Sequence, residues 1–291
     1  MDTYIRKEER RRKMLKTGIN LFIGCSDAGM FTLTNDKSVE VLRFSGATAK
    51  GLGQGNRNSE EILRAIACRL KLAPIKSITW VFGSVDVKFS AYYRICEKNE
   101  AVSNLRDSMM SCAVKYMEFI RKVHAIVKSS GCESKIIVLG VEPNGAPPNI
   151  VYRQCLKYKV LSDTEENVRR VGKAVDECHP DLLRRSFNDI LKQMCDVSEF
   201  QYIDIDEYIV NECGLKDYKI SMAKPEFVDI VSSCVHLNWE KNLVLYLLKL
   251  KEIGIDIKKP LDLDKKREKY IGEKLKDARR MDSWIKKPRY S

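Results

Sequence analysis

The run Asn20-Leu21-Phe22-Ile23-Gly24-Cys25-Ser26-Asp27-Ala28-Gly29 decides how this chain is read. It is a short apolar stretch that stops at a glycine and then presents a serine among small residues. A strand buried in a parallel sheet is apolar on both faces, and a glycine at its carboxyl end lets the chain turn sharply. Ser26 is therefore expected at the open edge of a sheet, where α/β folds hold ligands. A serine or aspartate after a strand also serves as a helix N-cap, so this run alone leaves Ser26 between capping and chemistry. A base elsewhere in the chain is what separates the two.

Working outward, residues 39–44 (Val-Glu-Val-Leu-Arg-Phe) alternate as a strand should and lead into the loop Ser45-Gly46-Ala47-Thr48-Ala49-Lys50-Gly51-Leu52-Gly53-Gln54-Gly55. Its glycines suit a nucleotide phosphate, an oxyanion or simple loop flexibility. The spacing matches neither G-x-G-x-x-G nor the P-loop, because Lys50 precedes the glycine pair. Residues 78–82 (Ile-Thr-Trp-Val-Phe) and 136–140 (Ile-Ile-Val-Leu-Gly) are further strands, the first ending in Gly83-Ser84-Val85-Asp86, and residues 202–206 read as the last strand. Helices are expected over 59–72, stopped by Pro74, over 101–130 and over 163–195 with a break at His179-Pro180. A final helix of the body runs over 239–250. Strands that alternate with helices give βαβ units, hence a three-layer α/β/α domain around a mainly parallel sheet. Its active edge would collect the strand ends at Ser26, Gly46, Gly83 and Gly140.

Composition bounds the rest. The 291 residues suffice for one sizeable core, and no apolar run is long enough to cross a bilayer. The charged amino terminus lacks a following signal-peptide core, so a cytoplasmic, intracellular protein is expected. Ten cysteines are spread almost evenly with no Cys-x-x-Cys pair. Reduced, half-buried thiols are the reading, and nothing asks for a metal or another cofactor. Residues 1–16 hold seven basic and three acidic residues, and residues 256–291 thirteen and seven, so the two ends carry +10 of the net +12. A basic arm (1–18) and a basic extension (257–291) thus flank the α/β domain (19–256). Such ends attract phosphate-rich polymers or acidic surfaces, although a solvated helix face explains them as well.

The order of these blocks resembles the SGNH (GDSL-like) hydrolase family over roughly residues 19–250. Gly24-Cys25-Ser26 stands where that family carries Gly-Asp-Ser with its nucleophile. The loop of residues 45–53 stands at the block whose glycine helps form the oxyanion hole. Gly83-Ser84-Val85-Asp86 falls on Gly-x-Asn-Asp, and Ser233-Cys234-Val235-His236 on Asp-x-x-His, just before the last helix. The resemblance implies a flavodoxin-like fold and an ester hydrolase or acyl transferase, acting on an ester-bearing small molecule or acylated substrate. Ser26 would be its nucleophile and His236 its base, with Gly46, Ser84 and Asp86 lining the site.

Cys25, Val85 and Ser233 depart from the pattern. Asp229, Ser233 or a backbone carbonyl would then orient His236, and Asp86 would orient the loop. His236, one of three histidines, also fits a buried hydrogen-bonded residue, and His124 a surface or capping imidazole. A rival reading keeps the fold without turnover and uses the basic ends to bind nucleic acid or an acidic partner.

Overall fold

The computed structural model describes residues 18–101, 103–143, 148–177, 180–215, 218–223 and 239–258. Five strands form the central sheet: β1 (Ile19–Gly24), β2 (Val39–Arg43), β3 (Ile75–Val81), β4 (Lys135–Leu139) and β5 (Gln201–Ile203). All neighbours are parallel, in the order β2-β1-β3-β4-β5, with Phe22 opposite Val41 on one side and Thr79 on the other. The expected three-layer α/β/α architecture is what the chain forms. Parallel pairing puts every carboxyl end on one edge, as the βαβ pattern requires.

Alternation along the strands sorts the core into two faces. Leu21 and Ile23 of β1, with Ile78 and Trp80 of β3, point to a large cluster. Helices α2 (Arg57–Leu70), α4 (Ser103–Ser129) and α7 (Pro180–Asp196) cover it through Ile62, Ile66, Tyr116, Ile120 and Phe187. Phe22, Ile137 and Leu139 point the other way, beneath a 3-10 helix over Ser26–Leu33 and helix α9 (Trp239–Glu252). Phe31 of the 3-10 helix stacks on Phe22 at 4.0 Å, so the turn after β1 folds straight back onto its own sheet.

Several elements differ from the sequence reading. The segment after β1 is a helix, in which Cys25 is the N-cap and makes no side-chain capping bond. Ser26 is the first helical residue, not a cap. The helix expected over 59–72 begins earlier, because Asn56 accepts the Ser59 amide at 3.1 Å and caps it. Short helices α1 (Ala49–Gly53), α3 (Ala91–Cys96), α5 (Pro148–Lys157) and α8 (Asp206–Ile209) were not foreseen, nor was a π turn over Asp86–Ser90. Helix α6 (Glu165–Glu177) lies in the segment expected to be helical. Strand β5 is not the last, for β6 (Val210–Leu215) and β7 (Tyr218–Ala223) follow as a separate antiparallel pair.

One buried ion cluster ties α7 to the carboxyl edge. Arg184, 2% exposed, donates to Asp181 at 2.8 Å, to Asp206 at 2.6 Å and to the Val141 carbonyl at 3.2 Å. Removing one member of a buried pair strands its partners in low dielectric. Arg184→Leu is expected to lower unfolding stability by about 3 kcal/mol, read from urea denaturation at neutral pH.

Candidate active site

β1 delivers Ser26 to the carboxyl edge next to two buried side chains. Cys25 is 1% exposed, and its Sγ lies 3.2 Å from Ser84 Oγ and 3.7 Å from Asp27 Oδ2. Burial, reinforced by the charge of Asp27, pushes the Cys25 thiol up to about 12. Cys25 therefore stays a thiol at neutral pH and is a poor nucleophile. Ser26 is half-buried, and its hydroxyl makes no hydrogen bond to any described residue. Its amide, as the first of the 3-10 helix, has no acceptor within that helix.

Gly46 lies in the turn after β2, the strand next to β1. Its φ is +78°, it is exposed, and its amide donates to no described acceptor. The rest of the loop is fixed internally. Asp86, 1% exposed, accepts the Ala49 amide at 2.7 Å, the Lys50 amide at 3.2 Å and the Cys112 thiol at 3.5 Å. Thr48 caps α1 by accepting the Gly51 amide at 2.9 Å. The amides that could have cradled a phosphate are thus turned onto a carboxylate and a hydroxyl of the protein itself. A nucleotide at this loop would meet a buried negative charge, which argues against the phosphate reading of its glycines.

The remaining rim is built by the ends of β3 and β4. Ser84 is buried and, with Asp27, Phe82, Gly140, Glu142 and Tyr246, lines a cavity of about 10 Å³, enough for a single water. The Val85 side chain brings no donor to this edge. The Val141 peptide is held from both sides: its amide donates to Asn188 Oδ1 at 2.8 Å and its carbonyl accepts Asn188 Nδ2 at 3.0 Å. Asn242 of α9 donates to Glu142 Oε1 at 3.0 Å and so joins the last helix to the same edge.

Two contributors were not singled out from the sequence. A methyl group at residue 29 would stand 2.8 Å from Trp239 Cη2 and 3.3 Å from Arg43 Nη1, so only glycine lets both side chains close over the 3-10 helix. Residues three apart eclipse one another in such a helix, about 6 Å along its axis. Trp239 and Arg43 thus approach Gly29, one turn along from Ser26. The signal available was the glycine at that spacing beside the tryptophan that opens the last helix. His236, Asp229, Ser233 and the basic segments up to residue 17 and from residue 259 onward lie outside the described residues. Among the described residues no helix is long and apolar enough to cross a membrane.

No protein-family model and no curated protein matches the chain. Its structure is similar to that of a GDSL-like lipase from Bacteroides thetaiotaomicron, 13% identical over 85% of this chain and 96% of that one, with a TM-score of 0.44. It is likewise similar to a lipase from a goat rumen metagenome, 17% identical over 82% of this chain and 99% of that one, also at 0.44.

Burial raises the Asp86 carboxyl from 3.8 to about 6, against the pull of its backbone donors. A folded-state pKa above the unfolded one favours the native state below pH 3.8, and that advantage disappears as pH rises through about 6. Asp86→Asn lacks this titration. The stability of the wild-type protein relative to Asp86→Asn is expected to fall by about 2–3 kcal/mol between pH 4 and pH 7, measured by urea denaturation of both proteins across that range.

Proposed function

We propose that the chain is a divergent SGNH-like ester hydrolase or acyl transferase with Ser26 as nucleophile and His236 as general base. The observation that carries the reading is the position of Ser26. It is a half-buried hydroxyl without a partner among the described residues, at the carboxyl end of β1, and Gly46 follows β2, the strand next to β1. The packing of Trp239 on Gly29 supports the pairing with His236. Only three residue steps separate His236 from Trp239, a tether of at most about 11 Å that starts on the face shared with Ser26.

In this mechanism the imidazole of His236 takes the proton of Ser26 Oγ as the oxygen attacks the ester carbonyl carbon. The amides of Ser26 and Gly46 donate to the oxyanion, with the Ser84 hydroxyl as a further donor. Collapse breaks the ester C–O bond, and the imidazolium returns its proton to the departing alcohol. Water, or a second alcohol in the transferase case, then attacks the acyl-serine by the same steps in reverse. Asp229 or Ser233 orients the imidazole, and Asp86 acts on the loop from behind, through the amides of Ala49 and Lys50. No cofactor enters this chemistry. The substrate class is an ester-bearing small molecule or an acylated compound.

Ser26→Ala is expected to abolish labelling by a fluorophosphonate probe and to lower kcat for p-nitrophenyl acetate by about 10³-fold or more. His236→Gln should give a loss of similar size in kcat for p-nitrophenyl acetate at neutral pH. Turnover by Ser26→Ala at the wild-type rate would overturn the reading.

A further inference from the structure

We infer that Arg43 is a specificity-determining residue that holds an anionic group, a carboxylate or a phosphate-type oxyanion, on the acyl part of the substrate. The inference rests on the Ser26 reading for the reaction but on separate observations for the anion. Arg43 is the last residue of β2 and pairs directly with Gly24, two residues before the serine. It is exposed, and its Nη1 closes over Gly29, one 3-10 turn along from Ser26. Its Nε donates to Ser45 Oγ at 3.1 Å, next to Gly46. This bond uses one of the five guanidinium N–H donors.

Position, together with charge pairing, sets the residue apart. Arg57, Arg69, Arg94, Arg169, Arg170, Arg184 and Arg185 each meet a carboxylate. Arg43, like Arg64, Arg106, Arg121 and Arg153, meets none among the described residues, and of these five it is the one that ends β2 beside Gly24. The acids of this edge turn inward instead: Asp27 and Glu142 line the buried cavity, and Asp86 is bonded beneath the loop. A positive fork is thus presented at the rim while the negative charges are withdrawn from it. A planar guanidinium matches an oxyanion with two parallel hydrogen bonds, which is the recognition such a site offers. The spacing of one helical turn suits an anion at the far end of a short acyl chain whose carbonyl lies at Ser26.

The test compares kcat/KM for the 4-nitrophenyl hemiester of glutarate, its neutral methyl ester and 4-nitrophenyl phosphonopropionate, in wild-type protein and in Arg43→Gln. The wild-type enzyme is expected to favour one or both anionic esters over the neutral one. Arg43→Gln should lower kcat/KM for the favoured anionic ester about tenfold, chiefly through KM, with the neutral ester unchanged. The preference should shrink at high salt, because the site is open to solvent. The carboxylate and phosphonate arms show which oxyanion the fork prefers. An equal loss on charged and neutral esters, or no loss on either, would overturn the assignment. Should the wild-type protein cleave none of them, the serine reading fails, and calorimetric titration with the non-hydrolysable 4-nitroanilide of glutaric acid decides the anion site alone. Binding that Arg43→Gln removes keeps it, and absence of binding to wild-type protein ends it.

Discussion

At Gly24 there is no room for a side chain, and the arrangement of the carboxyl edge follows from that. A methyl group there would lie 2.5 Å from the Val81 carbonyl oxygen, 2.6 Å from Val81 Cβ and 2.7 Å from Ala28 Cβ. The last residue of β1 is therefore wedged between the end of β3 and the helix that folds back over it. Hydrogen bonds complete the clamp: Cys25 N donates to Val81 O at 3.0 Å, and Phe44 N donates to Gly24 O at 2.8 Å. The chain can leave β1 in one direction only, so the place of Ser26 is set by backbone groups of both neighbouring strands. A site on such a scaffold needs little reorganisation to hold a reacting group in place.

The loops around Ser26 are fixed by a different device, namely side chains that reach them from beneath. Asp86 ties down the amides of α1, Asn188 and Arg184 grip the Val141 peptide, and Asn242 reaches Glu142. Each bond joins a surface loop to a core element. Desolvation of Asp86 is unfavourable for its charged form, yet two amides and a thiol offset part of that cost. The result is a glycine-rich loop whose inner amides are committed to the protein, while the Gly46 amide at its tip is not. That division is what an oxyanion site needs and what a phosphate cradle lacks.

How much of this could be read from the sequence depends on which force shapes each element. β1 and β4 carry apolar runs (Leu21–Ile23, Ile136–Leu139) and β3 ends in Ile78-Thr79-Trp80-Val81 because both their faces are covered, and a pattern that strong survives without tertiary information. The 3-10 helix after β1 carries no helical periodicity. Ala28, Met30 and Phe31 are buried because the helix lies flat on the sheet, a fact of packing and not of local preference. The β6–β7 pair was missed because Lys216-Asp217 between the two runs lacks the Asn-Gly or Asp-Gly signal of a tight hairpin. At the site, the serine and the glycine blocks were visible as spelling. The closure of Trp239 and Arg43 over Gly29 was not, since it joins three segments distant in the chain.

The departures from the SGNH pattern bear on rate more than on architecture. Cys25 in place of aspartate keeps a small buried group that contacts Ser84, so the turn retains its packing without a charge. In the proposed ester-hydrolase reading, Val85 stands where an asparagine donor would serve the oxyanion, a change whose typical cost is about 10²–10³ in rate. With two backbone amides left for that task, transition-state stabilisation must come from elsewhere if turnover is to be useful. Binding energy from a remote part of the substrate can supply it by holding the carbonyl in an attacking position. The guanidinium of Arg43, without a carboxylate partner among the described residues and one helical turn from the serine, is a source of such energy. In the proposed reading, Val85 and Arg43 are then linked: an oxyanion site with fewer donors favours substrates that the rim can hold by charge.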